Sequence, residues 1–286
     1  MHMMRRVLAL TGGTALTFAV TAACAAFGKP EPNQIGFQDP VTPIAHELQT
    51  FHDWLLVPVI TLISVFVAGL LIYIIIRFNE KSNPVPSRTT HHTGLEVAWT
   101  VLPVLILVVI AIPSFRLLNH QLIEPKAEVT IKVKGKVWNW AYEYPKEQNG
   151  PFGFDSIMKQ DAELKPEDGD IRQLSVNDEA VLPVDTVVRL EITSDDVIHS
   201  FVVQSFGVRI DAVPGRLNTV WFKAEREGIY YGQCSKLCGK DHAYMPIAIR
   251  IVSKDKYQAW LTEAKKKYAS NGNVPVSVAD MAPALR

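Results

Sequence analysis

The segment YYGQCSKLCGKDHAYMP brings four candidate ligands for a soft metal close together in the sequence. Cys234 and Cys238 supply two thiolates, His242 an imidazole and Met245 a thioether. A second imidazole, His199, lies upstream in SDDVIHSFVV. Sulfur and imidazole ligands with a weak axial thioether are typical of copper electron-transfer sites. A blue-copper centre needs only one thiolate, so two thiolates in one short loop indicate a pair of copper ions bridged by sulfur.

In such a pair each copper ion takes one histidine and one weak axial ligand. Met245 is the candidate on one side, and a backbone carbonyl between the two cysteines is the candidate on the other. An electron shared by two metal ions spreads the geometric change on reduction over many bonds, which makes transfer fast. The spacing therefore predicts a dinuclear electron-transfer centre.

Two other interpretations of the segment are open. An exported chain permits a disulfide between Cys234 and Cys238, but so short a loop gains little stability from a crosslink. A disulfide also leaves the two histidines and Met245 without a role. A tetrahedral zinc site satisfies the ligand count, but zinc rarely takes methionine.

The segment resembles the dicopper (CuA) loop of subunit II of haem–copper cytochrome c oxidases. The resemblance extends over nearly the whole mature chain, including GKVWNWAYEYP, VIHSF and DAVPGRLN. It implies that electrons from cytochrome c reach the dicopper centre and pass to haem in subunit I, where oxygen is reduced and protons are pumped. The copper ligands that it implies are His199, Cys234, the backbone carbonyl of Lys236, Cys238, His242 and Met245.

The chain departs from this family between the two cysteines, where the family has glutamate and this chain has Lys236. The copper ligand at that position is a main-chain oxygen, so copper binding should survive. In the family the glutamate side chain also reaches an interfacial magnesium or manganese ion, and an ammonium group cannot bind a hard cation. The second metal site is therefore doubtful in this chain.

The resemblance also gives roles to two residues outside the metal set. Trp138, in the alternating run WNWAYEY, is implied to be the exposed ring where the donor cytochrome docks and the electron enters. Glu96, just before the second apolar run, is implied to mark the cytoplasmic entrance to a proton pathway in subunit I. From the residues alone, the aromatic run is equally consistent with the core face of a strand, and a charge at a membrane boundary is common.

Composition divides the chain into an apolar first third and a β-rich remainder. The 286 residues have equal numbers of basic and acidic side chains, 29 of each, which excludes no functional class. Arg5, Arg6, an apolar stretch and the small residues around Cys24 have the pattern of a secretory signal peptide. Two nearly charge-free runs of about 20 residues are long enough to span a bilayer. Short alternating strands separated by turn residues follow, and they favour an antiparallel sandwich.

The predicted fold is a membrane-anchored all-β protein, in which a two-helix transmembrane hairpin precedes a cupredoxin-like Greek-key β-sandwich. Basic residues in the loop between the spans place that loop in the cytoplasm, and the copper domain then lies in the periplasm. The predicted boundaries are 1–26 for the signal peptide, 27–50 for an exported N-terminal arm, 51–120 for the hairpin with spans at about 54–77 and 98–118, 121–253 for the CuA domain, and 254–286 for a C-terminal helix and tail. Residues 27–45 are polar and contain proline and glycine, which predicts that this part of the arm is exposed.

Residues 159–196 contain eleven acidic and four basic side chains, in a chain that is neutral as a whole. A solvated acidic face is common, but a negative patch near the point where electrons enter would attract a lysine-rich cytochrome c. The candidate contacts are Glu143, Asp178, Asp195 and Asp196.

These features predict a two-pass protein of a bacterial inner membrane that forms part of the enzyme cytochrome c oxidase. The predicted partners are cytochrome c, oxidase subunits I and III and the lipid bilayer, with no nucleic acid. Two alternatives come from other classes: a copper-free quinol oxidase subunit II and a membrane-anchored copper carrier. The intact copper ligands disfavour the first, and the paired spans with Glu96 and Trp138 disfavour the second.

Overall fold

The computed structural model describes residues 28–145 and 151–269. The predicted signal peptide, with Cys24, and the predicted tail beyond 269 lie outside the described residues. Within them, a helical hairpin precedes a β-sandwich, which confirms the predicted fold class.

The hairpin helices are longer than the two predicted spans. The first comprises α1 (Pro43–Phe51), a π-helical turn (His52–Leu56) and α2 (Val57–Arg77), which run on as one helix of 35 residues. It begins well before the apolar run because the Thr42 hydroxyl caps the first turn. The second helix, α3 (Thr93–Leu122), has 30 residues and contains two prolines. The most apolar 18-residue window of each helix has no side chain buried inside the chain, as expected of helices that face lipid.

The N-terminal arm is not exposed throughout, so that part of the prediction is wrong for the residues around Val41. The Gly28 carbonyl accepts a hydrogen bond from the Tyr231 amide (2.8 Å), and the Val41 amide donates to Ser205 (2.9 Å). The Thr42 hydroxyl donates to the Phe206 carbonyl (2.8 Å). The arm contains few apolar residues, so its sequence did not reveal that it completes the sandwich with main-chain hydrogen bonds.

The hairpin is attached to the sandwich at the end of α3. His120 Nδ1 lies 3.0 Å from the Glu47 carboxylate of α1, and the Trp221 indole donates to the Gln121 carbonyl (3.1 Å). These contacts fix the direction in which the chain leaves the membrane helices and enters the sandwich.

The sandwich has two five-stranded sheets in the described part of the chain, ordered β3-β2-β1-β5-β8 and β4-β10-β9-β6-β7. Most neighbours are antiparallel, but β1 pairs with β5 and β4 with β10 in parallel, so the sheets are mixed rather than wholly antiparallel. The parallel pairs arise because the chain crosses between the sheets. The strands are β1 (Val129–Lys136), β2 (Asn139–Tyr144), β3 (Phe152–Ser156), β4 (Ala180–Pro183), β5 (Val187–Ser194), β6 (His199–Val203), β7 (Val208–Ala212), β8 (Asn218–Lys223), β9 (Gly228–Cys234) and β10 (Pro246–Val252).

The aromatic run at β2 and just before it has buried members within the strand and one partly exposed member ahead of it. Trp140, Tyr142 and Tyr144 are at most 1% exposed and pack between the sheets. Trp138 precedes the strand and stays partly exposed. The final helix, α4 (Lys254–Ala269), begins after Ser253 and packs against β3 and β4.

Candidate metal centre

Two neighbouring strands and one loop bring the candidate ligands together. Cys234 ends β9, and Cys238 and His242 follow in the loop that leads to β10. Met245 directly precedes β10. His199 begins β6, which pairs with β9 so that Phe201 lies opposite Cys234. All five side chains therefore lie at one end of the same sheet.

The donor atoms form two matched sets. Cys234 Sγ lies 4.0 Å from His199 Nδ1 and 3.3 Å from the Lys236 carbonyl oxygen. Cys238 Sγ lies 3.5 Å from His242 Nδ1 and 3.6 Å from Met245 Sδ. The two sulfur atoms are 3.9 Å apart. Each thiol thus has its own imidazole and its own weaker donor.

This geometry fits a soft metal better than a crosslink. Both cysteines are free and buried, and the donor atoms of His199, Cys234 and Cys238 lie within 4.8 Å of one another. Thiolates, imidazoles and a thioether are the ligands that copper prefers. The atom of Lys236 that faces Cys234 is the main-chain oxygen. This contact therefore does not use the lysine side chain.

The two thiols differ in their readiness to ionise. Burial opposes ionisation of Cys234, but hydrogen bonds from His199 and from nearby backbone groups outweigh it and lower its pKa. Burial and the charge of Cys234 together raise the pKa of Cys238. A positive ion between the sulfur atoms would remove that repulsion, because metals bind the deprotonated thiolate.

The Asp196 carboxylate holds His199 in place. It lies 2.8 Å from His199 Nε2 and accepts the amide hydrogens of Val137 (2.7 Å) and Val197 (2.6 Å). Because Nε2 faces this carboxylate, Nδ1 is left to face Cys234. Carboxylates in this position fix the tautomer and orientation of metal-binding histidines.

Burial lowers the pKa of His199, but hydrogen bonds with Cys234 and Asp196 outweigh that effect and raise it. Sequence reasoning assigned Asp196 to docking and missed this contact. The sequence feature that could have indicated the contact is the position of an acidic residue three places before the candidate histidine ligand.

Two tryptophans pack against the metal loop from the opposite sheet. The Trp138 indole donates to the Cys238 carbonyl (3.1 Å), and the Lys240 ammonium lies 5.5 Å from the centre of its ring. Trp140, which was not predicted to take part, donates to the Met245 carbonyl (3.2 Å), and its ring centre lies 5.9 Å from that of His199. Gly239, with a φ of +126°, allows the close approach of Trp138, because a Cβ there would lie 2.8 Å from the indole.

The four acidic residues predicted to contact cytochrome c are in different situations. Glu143 is paired with Lys134 (2.6 Å) and Asp178 with Lys267 (2.6 Å). Asp196 faces His199, as described above. Only Asp195 of the four is exposed without an ion pair to any described residue.

Two other acids of 159–196 pair with cations from outside the segment, Glu179 with Arg250 and Asp185 with Lys223. Together with the pair between Asp178 and Lys267, they neutralise part of the excess negative charge of the segment.

Glu96 lies in the first turn of α3, far along the chain from the metal loop. Its carboxylate accepts the His92 amide hydrogen (3.2 Å), and the His92 ring in turn accepts the Leu95 amide hydrogen (3.2 Å). This reciprocal arrangement resembles a capping box and stabilises the start of the helix.

Comparison with known proteins places this architecture in a family. The family model described as the periplasmic domain of cytochrome C oxidase subunit II matches residues 129–252, and the model of its transmembrane domain matches residues 30–117. The chain is 47% identical over 272 residues to the probable cytochrome c oxidase subunit 2 of Rickettsia bellii, covering 95% of this chain and 97% of that protein.

Two further proteins are similar. The chain is 42% identical over 287 residues to cytochrome c oxidase subunit 2 of Cereibacter sphaeroides, covering 92% of this chain and 93% of that protein. The crystal structure of the periplasmic domain of subunit II of cytochrome oxidase of Bradyrhizobium japonicum is 53% identical, with a TM-score of 0.47 and coverage of 51% of this chain and 99% of that one.

Hairpin and sandwich together define a two-pass inner-membrane protein whose periplasmic domain carries a group of Cys and His residues suited to a metal. The chain belongs to the cytochrome c oxidase subunit II family, and its relatives form part of that enzyme.

The role of Asp196 can be separated from surface charge by comparing two neighbouring substitutions. We expect Asp196→Asn in the full chain to weaken copper binding by about 10- to 100-fold, the usual effect of losing such a partner. The matched control is Asp195→Asn, which removes the same charge from an exposed position. Competition with a copper chelator and the optical spectrum report both effects. Equal behaviour of the two variants would mean that Asp196 acts only through its charge.

Proposed function

We propose that this chain accepts electrons from cytochrome c at a dinuclear copper centre and passes them to haem in subunit I, where oxygen reduction is coupled to proton pumping. The observation that supports this most directly is the paired donor geometry, in which each thiol has its own imidazole and weaker donor. Bound copper supplies reversible one-electron storage. The ligands we assign are His199, Cys234, the Lys236 carbonyl, Cys238, His242 and Met245.

The surrounding residues keep this donor set nearly unchanged in shape. Asp196 orients one histidine, and Trp140 holds the carbonyl of Met245. His199 and Met245 are at most 1% exposed, so water has little access to their ligand atoms. Fixed ligands and excluded water both reduce the rearrangement that accompanies a change of charge.

The two alternatives are less compatible with these features. A quinol oxidase subunit without copper has no need of five converging donor side chains. A copper carrier must release its metal, whereas four of the five side chains here are buried: the two cysteines, His199 and Met245. Family membership also favours a resident oxidase subunit.

A spectrum of the copper-loaded chain tests the dinuclear assignment. We expect two copper ions per chain and a seven-line EPR hyperfine pattern, because one unpaired electron is shared by two equivalent nuclei. Cys234→Ser or Cys238→Ser should abolish the pattern. Met245→Leu should retain copper and shift the reduction potential, because an axial thioether tunes the site more than it holds the metal. One copper per chain with a four-line spectrum would contradict the proposal.

Trp138 is the residue we assign to electron acceptance from cytochrome c. It is the partly exposed ring that touches the metal loop directly, through the carbonyl of a cysteine ligand. Around it, Lys240 and Asp241 form a weak pair (3.7 Å), so the immediate surface carries both signs of charge. Asp195 is exposed and, of the four candidates, the one with no ion pair to a described residue, so it is the one we assign to docking.

Docking and electron acceptance should respond to different substitutions. We expect Trp138→Ala to lower the rate of electron transfer by orders of magnitude while cytochrome c affinity stays nearly constant. Asp195→Asn should reduce the association rate by a few-fold and flatten its dependence on salt, because steering weakens with charge. Stopped-flow oxidation of cytochrome c at several ionic strengths measures both, and the EPR spectrum checks that copper is intact. A change in affinity alone for both variants would contradict the assignment.

Lys236 is the feature that sets this chain apart from the family pattern. Its side chain is exposed on the metal loop and has no ion pair with any described residue. We infer that its ammonium group compensates carboxylates of subunit I in place of an interfacial magnesium or manganese ion. The opposing consideration is that magnesium often keeps several waters and few protein ligands, so subunit I could retain the ion alone.

Manganese EPR of the assembled complex distinguishes these cases. We expect the complex from manganese-grown cells to lack tightly bound interfacial manganese, and Lys236→Glu to restore it without changing the dicopper spectrum, because a carboxylate supplies the missing oxygen ligand. Lys240→Glu is the matched control, since it makes the same charge change on the Trp138 side of the loop. Stoichiometric manganese in the unmutated complex would contradict the inference.

The remaining assignments complete the proposed setting. We place the chain in a bacterial inner membrane, with subunits I and III as partners. Glu96, at the cytoplasmic start of α3, is proposed to mark the entrance to the proton pathway of subunit I. Its hydrogen bond to the His92 amide would keep the carboxylate at this position.

A further inference from the structure

The N-terminal arm contains a small closed loop with an apolar tip, residues 31–37. Gln34 closes it from both sides, because its side-chain oxygen accepts the Glu31 amide hydrogen (3.0 Å) and its side-chain nitrogen donates to the Phe37 carbonyl (2.6 Å). Ile35 lies at the tip and is fully exposed, and the Phe37 side chain is 40% exposed. Because the Gln34 side chain closes the loop from inside, the apolar side chains of Ile35 and Phe37 point outward.

The residues that follow the tip are anchored in the sandwich. Immediately after the tip, Gln38 is 8% exposed and its side-chain oxygen accepts a hydrogen bond from the Ser205 hydroxyl (3.2 Å). Val41 is then held in the sandwich by main-chain hydrogen bonds on both sides. The arm is therefore anchored, and the position of the tip relative to the helices is fixed.

That position is beside the end of the first membrane span. The Phe37 ring packs edge-on against His52, with 4.6 Å between the ring centres. Two residues further along the helix is Trp54, which is 82% exposed. Trp54 begins a run without a charged residue that ends at Arg77. Tryptophans at the ends of such spans lie at the boundary between lipid and water.

We propose that Ile35, Phe37 and Trp54 form a membrane-contact patch, in which the tip of the arm enters the headgroup region of the outer leaflet. The ligand is the phospholipid surface itself. Phe37 contacts the helix two residues before the apolar run begins, so the tip lies level with the end of the span, and burial of its apolar side chains among lipids favours contact. The arm would then be a third attachment of the periplasmic domain to the bilayer, besides the two helices.

Fluorescence quenching in the full chain tests this proposal. Ile35→Trp, reconstituted into phosphatidylcholine nanodiscs, introduces a reporter at the tip that keeps its apolar character. We expect lipids brominated near the headgroup to quench the added fluorescence several-fold more than in the control Glu263→Trp, which lies on the exposed face of α4. Aqueous iodide should show the opposite order. Phe37→Trp provides a second reporter should the first substitution disturb the loop.

Two results would overturn the proposal. Quenching of both tip reporters by iodide as in the control, with none by brominated lipid, would show that the tip remains in water. Protection from both quenchers in the assembled oxidase would show that another subunit covers it. The experiment does not depend on bound copper, so it stands apart from the proposed electron-transfer function.

Discussion

The site depends on a very short pairing between β6 and β9. Only two residue pairs join these strands, Phe201 with Cys234 and Val202 with Gln233, yet they place His199 beside the first thiol. The approach is so close that a Cβ on Gly232 would lie 2.0 Å from the Val202 carbonyl oxygen. Any larger residue would separate the strands, and the histidine would move away from the cysteines. The position of the metal loop relative to His199 therefore depends on this pairing.

Much of this architecture could be predicted from the sequence, because its signals are local. Hydropathy predicted both spans, and alternation predicted the strands. The spacing of Cys234, Cys238, His242 and Met245 predicted a shared site, and the loop does bring these side chains together. The resemblance to the oxidase subunit was confirmed over most of the chain.

The predictions failed where a structure depends on contacts between distant segments. The polar arm packs into the sandwich through main-chain hydrogen bonds, which leave no trace in composition. Net charge likewise concealed the fact that the cations pairing with Glu143 and Asp178 come from elsewhere in the chain. Asp196 was recognised as acidic, but only the structure shows that its carboxylate contacts the buried ring of His199.

Trp140 joins the two sheets at the site, because it belongs to one sheet and contacts Met245 and His199 of the other. His199 faces one thiol and Met245 the other. Trp140 is not itself a candidate ligand, yet a smaller side chain there would loosen both halves of the donor set at once. Resistance of the site to distortion is therefore a property of the sandwich core as much as of the metal loop.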